Sequence, residues 1–224
     1  MIKVIVNGAK GKMGAQTVQA VTDDTDLQLV GALDVSDDLS SAIQSNQADV
    51  VVDFTIPSCV KANTITILQS GAHAVVGTTG LTPTDLSELD AIALQHNVGV
   101  FVCPNFAIGA VMMMKAAQLI APYLPHVEII EAHHEKKIDA PSGTAIKTAE
   151  LINASNPEIG DIPIHSVRLP GHVAHQDIIF GGLGQRLLLR HDSISRDSFM
   201  PGVIVCIKQV ISASGLTYGL ENII

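Results

Sequence analysis

The stretch Ile2-Lys3-Val4-Ile5-Val6-Asn7-Gly8-Ala9-Lys10-Gly11-Lys12-Met13-Gly14 decides the fold. Residues 2–6 are apolar except for Lys3, the pattern of a strand covered on both faces. Glycines at 8, 11 and 14 follow, and an amphipathic run from about Met13 to Val21 reads as a helix. A second apolar run, Leu27 to Leu33, ends in Asp34. Strand, glycine turn, helix, strand and acid, in that order, make a dinucleotide-binding unit. Glycines let the backbone approach a pyrophosphate, the helix N-terminus stabilises its charge, and Asp34 accepts hydrogen bonds from ribose hydroxyls. The spacing is Gly-x-x-Gly-x-x-Gly, with Ala9 where the usual fingerprint has its first glycine. A carboxylate at 34 repels a 2′-phosphate and Val35 supplies no arginine, so NADH is favoured over NADPH. Lys10 and Lys12 remain able to reach a 2′-phosphate, which leaves dual use open.

The same rhythm continues. A short polar helix spans about 37–46, and strands are expected at Ala48–Phe54, His73–Val76 and Val98–Val102. Helices fall between them at Val60–Gln69 and after Thr82-Pro83-Thr84-Asp85, where Thr82 caps and Pro83 takes the first helical position. Alternation at this spacing predicts a parallel sheet with helices on both faces, a Rossmann-like α/β domain. Ligands of such sheets bind beyond the carboxyl ends of the strands. The loops after the first, second, fourth and fifth strands are therefore the expected cleft walls. Gly77-Thr78-Thr79 can approach a nicotinamide ribose and amide closely, and Cys103-Pro104-Asn105-Phe106 forms the fifth loop.

After an apolar helix at 107–121 the rhythm changes. A strand at Val127–Glu131 and a helix at about Thr144–Asn153 precede strands at Pro163–Leu169, His175–Phe180 and Gln185–Asp192. Gly171, Gly181, Gly182 and Gly184 lie between consecutive strands, which predicts antiparallel pairing and a second α+β domain with a mixed or antiparallel sheet. Val203–Ser212 is again helical and returns to the first domain, and Gly215-Leu216-Thr217-Tyr218-Gly219 reads as a closing turn. The expected domains are 1–104 completed by 202–224, for the dinucleotide, and 105–201, for substrate and oligomerisation.

Composition excludes several classes. An apolar fraction of 47% argues against disorder, and 3% aromatics without tryptophan argues against a base-stacking platform. A net charge of -9 without clustered Lys or Arg leaves no nucleic-acid footprint. Cys59, Cys103 and Cys206 stand far apart, which fits a reducing compartment. The chain begins directly on a strand with no signal peptide, and the apolar stretch 107–124 is broken by Lys115 and Gln118. A cytoplasmic protein that neither spans nor binds a membrane is the expectation.

The chemistry concentrates in Glu131-Ala132-His133-His134-Glu135-Lys136-Lys137-Ile138-Asp139-Ala140-Pro141-Ser142-Gly143-Thr144-Ala145. Two imidazoles and a lysine leave a strand end, and Ser142-Gly143-Thr144 starts a helix whose free amides can hold an anion. No third ligand stands at a metal-binding spacing, so no metal is expected. A dinucleotide unit joined to this loop suggests hydride transfer to a carboxylate-bearing acceptor, with an imidazolium supplying the proton. Lys137 offers charge stabilisation or a second proton.

This segment resembles the signature of the 4-hydroxy-tetrahydrodipicolinate (dihydrodipicolinate) reductase family of lysine and diaminopimelate biosynthesis. The likeness extends to Gly8–Gly14, Val52-Asp53-Phe54-Thr55-Ile56-Pro57, Gly77-Thr78-Thr79-Gly80, Pro104-Asn105-Phe106 and Ile164-His165-Ser166-Val167-Arg168. The resemblance implies an oxidoreductase that reduces hydroxy-tetrahydrodipicolinate with NADH or NADPH to tetrahydrodipicolinate and water. It implies His133 as proton donor or acceptor, Lys137 as proton donor, and His134, Ser142, Gly143 and Thr144 around a substrate carboxylate. The implied cofactor contacts are Gly8, Ala9, Lys10, Gly11, Lys12, Met13, Asp34, Gly77, Thr78, Thr79, Cys103, Pro104, Asn105 and Phe106. A cytoplasmic homotetramer, built through the sheets of the second domains, is implied as well. Asn7, Lys12, Val35 and Ala174 depart from the family's usual residues, and the region after Asp34 is short.

Overall fold

The opening apolar run folds as β1 (Ile2–Asn7), and the glycine turn leads into α1 (Lys12–Asp23). There follow β2 (Leu27–Leu33), α2 (Leu39–Asn46), β3 (Val50–Asp53), α3 (Val60–Gln69), β4 (His73–Val76), α4 (Pro83–His96) and β5 (Gly99–Val102). The remaining elements are α5 (Ile108–Ile120), β6 (His126–His133), α6 (Gly143–Ser155), β7 (Ile164–Arg168), β8 (Ala174–Gly182), β9 (Gln185–Ser193), α7 (Met200–Val210) and β10 (Gly215–Tyr218). The computed structural model describes residues 1–224. It divides into two compact units, Met1–Phe106 with Phe199–Ile224, and Ala107–Ser198.

The sheet of the first unit is wholly parallel, in the order β10-β5-β4-β3-β1-β2. Its strands are continuous Val/Ile/Ala runs because both faces are covered: α2, α3 and α4 pack on one, α1 and α7 on the other. Ile5, Val51, Ile67, Leu68, Leu89 and Val100 centre the first of these cores. The chain runs outward from β1 to β2, then crosses back to β3 on the other side of β1. That reversal is the switch point at which such sheets open a crevice. Local chemistry agrees with the elements. Thr82 and Asp85 form a reciprocal capping box at the start of α4, with Pro83 in the first turn, and Asn97 ends the helix in the left-handed conformation.

The second unit carries a mixed sheet in the order β7-β6-β8-β9, with α5 and α6 on its apolar face over Ile129, Ile178 and Phe180. β6 is parallel to β7 and antiparallel to β8, and β8 is antiparallel to β9. Two sequence expectations are corrected. β7 and β8 do not form a hairpin about Gly171; they flank β6, because α6 carries the chain over the sheet and returns β7 parallel to β6. The stretch from Gly215 is not a closing turn. It is β10, a sixth strand in parallel register with β5, from Gly215 opposite Gly99 to Tyr218 opposite Val102. No helix is long and apolar enough to cross a membrane.

Candidate active site

At the carboxyl ends of β1, β2 and β3 lies a cavity of about 410 Å³, lined by Gly8, Gly11, Asp34, Phe54, Thr55 and Asn63 among others. Gly8 has φ +83°, and a Cβ there would stand 2.5 Å from the Phe54 carbonyl oxygen. At Gly14 a Cβ would lie 2.0 Å from the Gly8 carbonyl oxygen, so α1 is seated directly against the turn. No side chain caps α1, whose N-cap is Gly11. Its first amides thus face the cavity's rim as an anion cradle. Asp34 accepts from the amides of Val35 (2.8 Å) and Lys10 (3.1 Å), and these bonds hold its carboxyl below the usual range. These residues fit a dinucleotide, pyrophosphate on the turn and ribose on the acid.

Beneath this cavity Asp53 is fully buried and accepts from Asn7, Asn63, Thr78 and both the amide and hydroxyl of Thr55, all at 2.7–3.1 Å. One carboxylate thus ties together the ends of β1, β3 and β4 and the first turn of α3. Phe54 continues the linkage. A Cβ on Gly77 would fall 2.0 Å from its ring, and the ring meets Phe106 edge-on at 5.7 Å between centroids. Of the cofactor residues expected from sequence, Gly8, Gly11 and Asp34 line the cavity; Gly77 and Phe106 lie against its lining residue Phe54, and Thr78 bonds to the buried Asp53. Lys10, Lys12 and Pro104 are exposed. Cys103 is buried with its Sγ 3.9 Å from that of Cys206, so its side chain is turned into the core.

In the second unit, β6 ends in His133, and its preceding core-facing residue is Glu131, fully buried. The Glu131 carboxylate receives two bonds from the Arg168 guanidinium (2.7 and 2.9 Å), one from the Ser142 amide (3.2 Å) and a contact of 2.6 Å with His133 Nδ1. Burial raises the Glu131 carboxyl, but bonds from Arg168, Ser166 and His133 outweigh it and leave the pKa at about 2. An ionised carboxylate only accepts, so the proton between the two groups sits on His133 Nδ1 and leaves Nε2 free. His133 itself is pushed below the ordinary imidazole value, first by burial and then by Lys137 and Arg168, against the pull of Glu131. That direction favours the neutral imidazole, with the proton on Nδ1 and the lone pair open on Nε2.

The loop beyond β6 carries Lys137, whose Nζ is paired with Asp139 at 2.7 and 2.9 Å. Arg168 also donates to the Asp139 carbonyl at 2.8 Å, which pins this loop from below. Ser142 then caps α6 by accepting from the Ala145 amide at 3.2 Å. In front of Gly143 a Cβ would meet nothing within 4 Å, so the N-terminus of α6 opens onto free space beside His133's strand. The structure therefore gathers His133, Lys137, Ser142, Gly143 and Thr144 around one loop and one helix start.

Residues 2–106 match the family model for the dihydrodipicolinate reductase N-terminus, and residues 109–224 match that for its C-terminus. The chain belongs to the dihydrodipicolinate reductase family. It is 45% identical to the 4-hydroxy-tetrahydrodipicolinate reductase of Syntrophomonas wolfei, with 99% of the chain and 98% of the relative covered. It is 46% identical to that of Coxiella burnetii, with 100% and 99% covered. The solved structure of dipicolinate-bound dihydrodipicolinate reductase from Paenisporosarcina sp. TG-14 covers both chains completely at 43% identity, with a TM-score of 0.91. An amine dehydrogenase from Mycobacterium smegmatis shares the fold alone, at 13% identity and a TM-score of 0.72. As a reductase of this family, the chain contains site groups that sequence reading left without a role: Asp53, Phe54, Glu131 and Arg168. Glu131 and Arg168 stand 37 residues apart, and only the β6–β7 register, which sets Arg168 opposite His133, brings them together.

Proposed function

We propose that the chain reduces (2S,4S)-4-hydroxy-2,3,4,5-tetrahydrodipicolinate with NAD(P)H to 2,3,4,5-tetrahydrodipicolinate and water through His133 and Lys137. The reaction is the one performed by its family, in lysine and diaminopimelate biosynthesis. One hydride and one proton enter and one water leaves. The nicotinamide cofactor supplies the hydride when bound; the chain holds the substrate and manages the proton. A substrate carboxylate sits on the amides of Gly143 and Thr144, with the Ser142 hydroxyl and His134 beside it. Ser142 contributes its hydroxyl proton, because its amide is committed to Glu131 and its oxygen to Ala145. A second carboxylate draws Lys137 away from Asp139. Negative charge arriving beside His133 raises its pKa, so Nε2 takes up the entering proton from water and the imidazolium then passes it to the substrate.

NADH is the favoured cofactor, from the Asp34 carboxylate and the exposed Val35 that follows it. The working form is a cytoplasmic homotetramer. Three free thiols fit a reducing compartment. The face of the second sheet away from α5 and α6 is the surface proposed for that assembly; on it Ile130, Ile179 and Leu188 alternate with the pairs Glu128–His165 and Asp177–Arg190.

The observation that carries this reading is a Glu131–His133 pair on the strand that leads to the open space at Gly143. Its test is a coupled assay in which aspartate semialdehyde, pyruvate and the preceding synthase generate the unstable substrate while NADH loss is followed. His133→Ala and Lys137→Ala are each expected to lower kcat by about 10²-fold or more, the range for lost general acid–base help. Near-wild-type turnover in either variant removes that residue from its role.

A further inference from the structure

The motif that opens with Glu131 contains a buried charge for which the reaction scheme has no direct use. Glu131 lies on the core side of β6, and with a strand period of two it shares that side with His133. Four of its bonds fasten three separate pieces of chain: the last residue of β6, the last residue of β7, and the entry to α6. Arg168 neutralises it and reaches on to the Asp139 carbonyl, in the loop that presents Lys137. A buried ion pair is a poor device for stability alone, since an apolar pair of similar volume serves as well or better. Its geometry here serves a different end.

We infer that Glu131, gripped by Arg168, is a positioning residue that fixes His133 as the Nδ1–H form and aims Nε2 at the substrate, while setting the α6 entry at the same time. The inference rests on the proton-handling role of His133 argued above. Which imidazole nitrogen carries the proton is decided by the bond the other one makes, and a carboxylate behind the ring also stabilises the cation once formed. The other charges close to the ring, Lys137 and Arg168, oppose that cation. Glu131 is the anion that acts on it, and Arg168 keeps that anion ionised and in place.

The wild-type protein gives the first readout. Nitrogen-15 NMR of the histidines at neutral pH is expected to show His133 protonated at Nδ1 and bare at Nε2; the reverse tautomer overturns the inference. The second readout is kinetic. Glu131→Gln is expected to lower kcat by about 10²-fold or more. Binding of pyridine-2,6-dicarboxylate and of NADH is expected to stay within about threefold, the mark of a loss confined to the transition state. Without the anion the imidazolium deprotonates more easily, so the alkaline fall in kcat moves to lower pH. To separate this from misfolding, the double variant Glu131→Gln, Arg168→Met removes the buried carboxylate together with its half-buried partner. It is expected to keep the fold and the NADH affinity and still lack kcat. Wild-type kcat and an unmoved pH profile in either variant overturn the inference. His133→Ala, assayed in parallel, distinguishes the two layers. Full activity there removes the parent reading, whereas an inactive His133→Ala beside a fully active Glu131→Gln removes only the role of Glu131.

Discussion

Asp34 binds the amides of Lys10 and Val35, and so faces the cavity with both oxygens already oriented. Each oxygen keeps an unused acceptor direction, which suits two ribose hydroxyls and repels a phosphate. Fluorescence titration is expected to give tighter binding of NADH than of NADPH, and Asp34→Gly is expected to narrow the gap from the NADPH side. Tighter NADPH binding by the wild type contradicts the charge argument. At this scale the candidate site residues are legible in sequence, because glycines, an acid after a second strand and a His-His-Lys loop each carry their chemistry at short range. The residues that hold them are not. Asp53 draws Asn7 and Thr78 from 46 and 25 positions away, and Glu131 draws Arg168 from 37. Neither partnership leaves a periodic trace.

Elements were legible where hydrophobic period and capping agreed. Thr82-Pro83-Thr84-Asp85 is an example, since both halves of the capping box lie within four residues. Pairing was less so. β7 is parallel to β6 because a helix separates them, yet the glycine after β7 resembles a hairpin signal. The short β10 carries glycines at both ends, which favours reading a turn until the open edge of β5 is known. Packing between elements also sets limits on glycine replacement. A Cβ on Gly202 of α7 would stand 2.0 Å from the Phe106 carbonyl oxygen, a contact that backbone cannot relieve cheaply. Gly202→Ala is expected to cost about 1–3 kcal/mol despite the better helix propensity of alanine, lowering Tm by roughly 2–10 °C. Gly181→Ala, where a Cβ meets nothing within 4 Å, is the control and should leave Tm unchanged within about 1–2 °C. Equal melting of the two variants sinks the packing argument.

For the whole molecule, the late return of the chain matters most. Residues 199–224 supply α7, which covers one face of the first sheet, and β10, which closes its edge. Leu216 is further anchored by its amide to Asp90 of α4 at 2.7 Å. A chain ending at Ser214 leaves the apolar β5 as a bare edge, a template for association with other copies. Such a truncation is expected to aggregate or to unfold well below the full-length Tm, checked by light scattering and calorimetry. A monodisperse truncated protein with unchanged melting would show that β10 is dispensable.

The contact between Gly202 and Phe106 has a wider consequence. The backbone departs from the first unit at Phe106 and rejoins it within a few residues of that same spot, so departure and arrival share one doorway. The 92-residue segment between them is topologically a cassette. Replacing it with a short glycine–serine bridge should leave a miniature nucleotide binder, and foreign cassettes of other chemistry can be spliced through the same opening.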